Sequence, residues 1–93
     1  MITRVEITRK ALKQLRKLPQ HIVTNLMIWV AAVEQDGLEE VRKVPGYHDE
    51  PLKGDREGQR SIRLSRAYRA IYIIKEDDTV EFASVEEVSK HDY

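Results

Sequence analysis

Apolar residues recur at helical spacing as far as Gly37 and at strand spacing from Ser61 onward, and this single change of period constrains the fold more than any other feature of the chain. Ala11, Leu12, Leu15 and Leu18 form an apolar stripe, and Arg9, Lys10, Lys13, Arg16 and Lys17 fill the rest of that helix. Thr8 supplies its N-cap and Pro19 ends it. From Gln20 a second helix runs to about Gln35, with Ile22, Leu26, Trp29 and Val33 on one stripe and Val23, Met27 and Val30 beside it. That arrangement calls for cover over a broad face, and Gly37 is the natural stop. The short Pro-containing joint predicts a helical hairpin.

The second half reads as β-structure. The segment from Leu38 to Tyr47 carries the turn signal Pro45-Gly46 and leads into Glu50 to Asp55, and the whole stretch reads as a loop with room for a short strand. Ile62 and Leu64 alternate with Ser61, Arg63 and Ser65, and Tyr68 to Lys75 is strongly β-prone. Glu76-Asp77-Asp78-Thr79 is a turn of hairpin length. Beyond it, Val80, Phe82 and Ser84 are expected on one face of a last strand, with Glu81, Ala83 and Val85 on the other. Ile2, Val5 and Ile7 add an opening strand. The expectation is an α+β domain in which an N-terminal strand and a helical hairpin pack on a curved antiparallel sheet, leaving the other sheet face for a ligand.

With 93 residues and no Gly, Pro or Ser-rich linker, the chain has room for one domain spanning residues 1–93. Cysteine is absent, so disulfides, thiolate metal sites and thiol nucleophiles are excluded. The opening residues carry no apolar signal segment, and the run from Leu26 to Val33 is too short to span a membrane, which gives the expectation of a cytoplasmic protein with no membrane partner. Net charge is zero, yet it is unevenly spread. Residues 1–49 carry eight basic and six acidic side chains, residues 50–75 seven and three, and residues 76–93 one and seven. The basic middle block is either a solvated strand surface or a phosphate-binding one.

No Gly-rich phosphate loop, nucleophile elbow or His pair at metal-binding spacing is present, so no metal or cofactor is expected. His21 reads as an exposed helix residue without a role, and His48 in the loop before Glu50 as either an exposed loop residue or a catalytic one. Arginines recur at 60, 63, 66 and 69, and strand alternation lets Arg63 and Arg69 converge on one concave face. The sequence closes with Lys90-His91-Asp92-Tyr93, which is either a frayed tail or a group titrating near neutrality beside a phenol.

Four segments together carry a resemblance: Glu50-Pro51-Leu52-Lys53-Gly54-Asp55-Arg56-Glu57-Gly58, Ser61-Ile62-Arg63-Leu64, Tyr68-Arg69-Ala70-Ile71-Tyr72 and Val88-Ser89-Lys90-His91-Asp92-Tyr93. Their combination resembles the RelE/ParE superfamily, the toxins of type II toxin–antitoxin systems. The Pro-Leu-Lys-Gly-Asp run is similar to the HigB branch, while Glu before that Pro and a His near a terminal Tyr are similar to the YoeB branch. The resemblance implies ribosome-dependent cleavage of messenger RNA without a metal, by attack of a ribose 2′-hydroxyl on the adjacent phosphate. It further implies that Glu50 is the base, Arg69 the phosphate-stabilising cation, His91 the acid and Tyr93 the terminal aromatic that positions a base. Lys53 and Arg63 would add positive charge for RNA binding, and the implied partners are a cognate antitoxin, the ribosome and messenger RNA. Two other functions share these residues in part. ParE-type toxins inhibit DNA gyrase without nuclease chemistry, and a non-catalytic RNA-binding or ribosome-binding module would keep the cations without needing Glu50 or His91.

Overall fold

The computed structural model describes residues 1–88, so His91 and Tyr93 lie outside the described residues. Strand β1 (Arg4–Ile7) leads into helix α1 (Arg9–Leu15), α2 (Gln20–Asp36) and a single turn of helix, α3 (Leu38–Val41). Strands β2 (Glu50–Pro51), β3 (Arg60–Arg63), β4 (Tyr68–Ile74) and β5 (Thr79–Glu87) follow, with 3-10 turns at Pro45–Tyr47 and Gly54–Arg56.

Thr8 caps α1 as its sequence position implies, its Oγ1 accepting from the Ala11 amide at 3.1 Å. The same hydroxyl donates to the Ala83 carbonyl at 3.2 Å, which ties the start of α1 to β5. The helix stops at Leu15, and Arg16 to Leu18 complete it only as tight turns. Pro19 explains this early end, because its ring disfavours helical backbone at the residue before it. Gly37 ends α2 with φ 87°, a left-handed value that favours glycine, and a Cβ there would fall 2.5 Å from Met1 Cγ. Immediately beyond, Leu38 and Val41 are buried, so the stretch read as loop from the sequence opens with a helical turn. The α2 face is narrower than its composition suggests: Val30 is covered, but Met27 and Ile28 are exposed.

The sheet order is β1-β5-β4-β3-β2. Strands β2, β3, β4 and β5 pair antiparallel with one another, as their short connections predict, and β1 extends the sheet in parallel along the other edge of β5, Val5 opposite Val80. A parallel neighbour requires a long crossover, which α1 to β4 provide. The core lies between this sheet and α2. Trp29, Tyr72 and Phe82 form its centre, with ring centroids 5.2 to 5.7 Å apart in tilted and edge-on contacts.

One irregularity sets which side chains reach the far face. Along β5, Ser84 pairs with Ile71 whereas Phe82 pairs with Tyr72, so Ala83 is an extra residue at a bulge. The bulge reverses the alternation expected for this strand. Val85, not Ser84, joins Val80 and Phe82 in the core, and Ser84 and Glu86 turn to the opposite face.

Candidate functional site

Strand alternation places two rows of residues on the sheet face away from α2. Glu50, Ser61, Ile71 and Ser84 are consecutive cross-strand partners in one row, and Arg63, Arg69 and Glu86 in the next. The convergence of Arg63 and Arg69 expected from sequence is therefore a direct cross-strand pair. Two like charges in that arrangement repel, and a nearby anion has to offset them.

Glu86 is that anion. Its carboxylate accepts from Arg69 Nη2 at 3.2 Å and from Arg56 Nη1 at 3.0 Å, with a second bond from Arg56 Nη2 completing a two-pronged pair. Hydrogen bonding to Arg56, followed by the charge of Arg56 and the bond from Arg69, outweighs partial burial and holds the carboxyl at about 2. Arg63 has no carboxylate partner among the described residues. Arg56 and Arg69 thus share one carboxylate while Arg63 has none, and even with Glu50 counted the three guanidiniums leave the face a positive surplus. The Arg69 Nε is buried with no hydrogen-bond partner among the described residues.

His48, Glu50, Arg63, Ser65, Tyr68 and Arg69 line a cleft of about 110 Å³ over this face. The segment that delivers His48 and Glu50 is anchored from behind. Asp49 points the other way, its side chain wholly buried, and accepts from Arg60 Nε at 2.8 Å and from the Tyr72 hydroxyl at 2.6 Å. Burial, reinforced by that bond and by the charge of Asp49, pushes the Tyr72 phenol above its ordinary value, so the hydroxyl stays a donor. His48 itself adopts left-handed backbone, φ 46° and ψ 45°, a conformation uncommon for residues other than glycine and found disproportionately at functional sites. The left-handed turn at His48 thus precedes strand β2, with Asp49 fixed inward and both His48 and Glu50 lining the cleft.

Of the residues singled out from sequence, Glu50, Arg63 and Arg69 come together, and His48 joins them. Lys53 sits exposed on the loop beyond β2 and does not line the cleft. Arg60 faces the core side, bound to Asp49. Arg56, Asp49 and Glu86 carry parts of the site that the sequence reading passed over. Among the described residues, no three His, Cys, Asp or Glu side chains are grouped as a metal site would need, and no helix is long and apolar enough to cross a membrane. A carboxylate beside paired guanidiniums can accept a proton next to a bound, charge-stabilised phosphate.

A family model described as the ParE toxin of the type II toxin–antitoxin system parDE matches residues 5–90. No curated protein matches the sequence. Among solved structures, the toxin–antitoxin complex RelBE2 from Mycobacterium tuberculosis is similar at 25% identity and a TM-score of 0.65, over 95% of this chain and 100% of that one. The archaeal RelE–RelB complex from Pyrococcus horikoshii OT3 superposes with a TM-score of 0.71 at 20% identity, over 97% and 99%. The YoeB dimer from Staphylococcus aureus gives 0.65 at 16% identity, over 96% and 100%. The latter two likenesses speak for the fold.

Proposed function

Since the chain belongs to the ParE toxin family of type II toxin–antitoxin systems, it is the toxin of such a pair, and we propose that its cleft is a metal-independent ribonuclease site that cuts messenger RNA on the ribosome. The observation that carries this reading is the placement of Glu50 and Arg69 in one cleft, delivered by strands on either side of β3. A surface that only bound a protein would have no use for a proton acceptor beside an anion clamp.

In this scheme Glu50 takes the proton of a ribose 2′-hydroxyl as that oxygen attacks the adjacent phosphorus. Arg69 and Arg63 stabilise the charge that builds on the phosphate, with Arg69 held in place by Glu86. Lys53 draws the RNA backbone toward the cleft from the neighbouring loop. The departing 5′-oxygen needs a proton, and His91 in the terminal segment supplies it, while Tyr93 stacks on a base. The products are a 2′,3′-cyclic phosphate and a 5′-hydroxyl. Work on ribosomes places the toxin in the cytoplasm, and a cognate antitoxin, the partner of toxins in the complexes named above, restrains it.

The match to a ParE toxin model keeps a second reading beside it, the inhibition of DNA gyrase without cleavage that the resemblance to ParE-type toxins implies. One experiment separates them. Translating ribosomes and, in parallel, a gyrase supercoiling reaction are incubated with the toxin, and RNA 5′ ends are mapped. New 5′ ends with unimpaired supercoiling support the ribonuclease reading; intact RNA with arrested supercoiling refutes it.

A further inference from the structure

A second, larger hollow opens on the other side of the β3–β4 turn. It measures about 460 Å³ and is bounded by Asn25 and Ile28 of α2, Val44 and Tyr47 of the segment after α3, and Arg63 and Arg66. Arg63 and Ser65 line both hollows, so the two meet there. The cleft at Glu50 has room for little more than a phosphate group, whereas this one falls in the range of about 300 to 1,000 Å³ typical of small-molecule sites.

Its chemistry is of one kind. Ile28 and Val44 leave 55% and 45% of their surface in water, an apolar pair with nothing over it. Asn25 donates its Nδ2 to the Leu64 carbonyl at 2.8 Å, which fixes the amide plane and leaves its Oδ1 to accept from a guest. No carboxylate lines the hollow, and its two charged groups are guanidiniums. Apolar walls, an aromatic ring, an oriented amide and cations at the rim are what an unstacked nucleobase with flanking phosphates requires.

We infer that this hollow is a nucleobase subsite, which holds the base of the nucleotide next to the phosphate at Arg69 and sets which RNA sequences the cleft accepts. The inference rests on the ribonuclease reading for the identity of that phosphate, though the binding itself can be measured without any cleavage. Arg63, common to both hollows, lies between base and phosphate. Gly46 lines the same hollow, and a Cβ built on it meets nothing within 4 Å, so a larger side chain there grows into free space.

The test uses a 2′-O-methylated RNA tetranucleotide, which lacks the attacking hydroxyl, titrated into the full-length toxin while the methyl resonances of Ile28 and Val44 are followed by NMR. Those methyls should shift on binding. Ile28→Glu, at an exposed helix position, and Gly46→Leu should each weaken binding about tenfold, the scale of one base-stacking contact. Both should also change the nucleotide preferred beside the cut. Methyls unmoved at saturation, or wild-type affinity in both variants, would overturn the subsite and leave the hollow to a protein partner. Shifts at both methyls in a toxin that cuts no RNA would uphold the subsite and refute the ribonuclease reading instead.

Discussion

Replacing Glu86 with Gln removes the only carboxylate bonded to Arg56 and Arg69 among the described residues while keeping the side chain's size. Holding this carboxyl at about 2 rather than 4.5 corresponds to about 3 kcal/mol at 1.36 kcal/mol per tenfold change in proton affinity. The Glu86 side chain is 29% exposed, so solvent screening reduces the useful part to about 1–2 kcal/mol. The variant should therefore melt roughly 5–15 °C lower at pH 7. The sign fixes the pH dependence. Because the folded carboxyl binds its proton less readily than the unfolded one, the contribution is complete above about 4.5, declines as pH falls, and is gone below about 2. Urea denaturation of wild type and Glu86→Gln from pH 7 down to pH 2.5 should show a stability gap that narrows through that window. Equal stability at pH 7, or a gap that stays constant as pH falls, would refute the reasoning.

Arg69→Ala should leave the fold intact by circular dichroism and lower RNA cleavage about a hundredfold or more, the usual cost of removing a preorganised charge at a developing anion. Asp49→Ala leaves the Arg60 charge and the Tyr72 hydroxyl without their partner and should cost about 3–5 kcal/mol in denaturant titrations. Deleting His91-Asp92-Tyr93 should eliminate cleavage but not ribosome binding, measured by co-sedimentation, because the cations between Lys53 and Lys75 are untouched. Cleavage of messenger RNA on translating ribosomes should survive EDTA at a concentration that leaves the ribosomes intact by sedimentation, since each proposed catalytic step is assigned to a side chain.

The helices, the strands and the convergence of Arg63 and Arg69 were legible because each follows from local periodicity. Ala11, Leu15, Ile22, Leu26, Trp29 and Val33 are buried where their spacing says, and Pro19 and Gly37 bound the helices by their own backbone preferences. What escaped depends on pairing between distant segments. The parallel seat of β1 beside β5 is decided by the crossover, which no local pattern announces. The bulge at Ala83 follows from a mismatch between β4 and β5, and reading β5 by itself sends Ser84 to the core and Glu86 with it. Glu86 is thus hidden in an acidic C-terminal stretch that looks like a solvated surface. Asp49 was hidden for a related reason: its partners Arg60 and Tyr72 lie 11 and 23 residues away, and only the registry of β3 and β4 brings them together.

The chemistry of the cut ends tests the central claim most directly. RNA recovered from toxin-treated ribosomes should carry a 2′,3′-cyclic phosphate on one fragment and a 5′-hydroxyl on the other, as read by mass spectrometry. A single 2′-O-methyl group at the cleaved nucleotide should abolish the cut, as should Glu50→Gln in the toxin. Fragments ending in 3′-hydroxyl and 5′-phosphate, or a methylated site cut at the unmodified rate, would contradict attack by the 2′-hydroxyl and with it the role of Glu50.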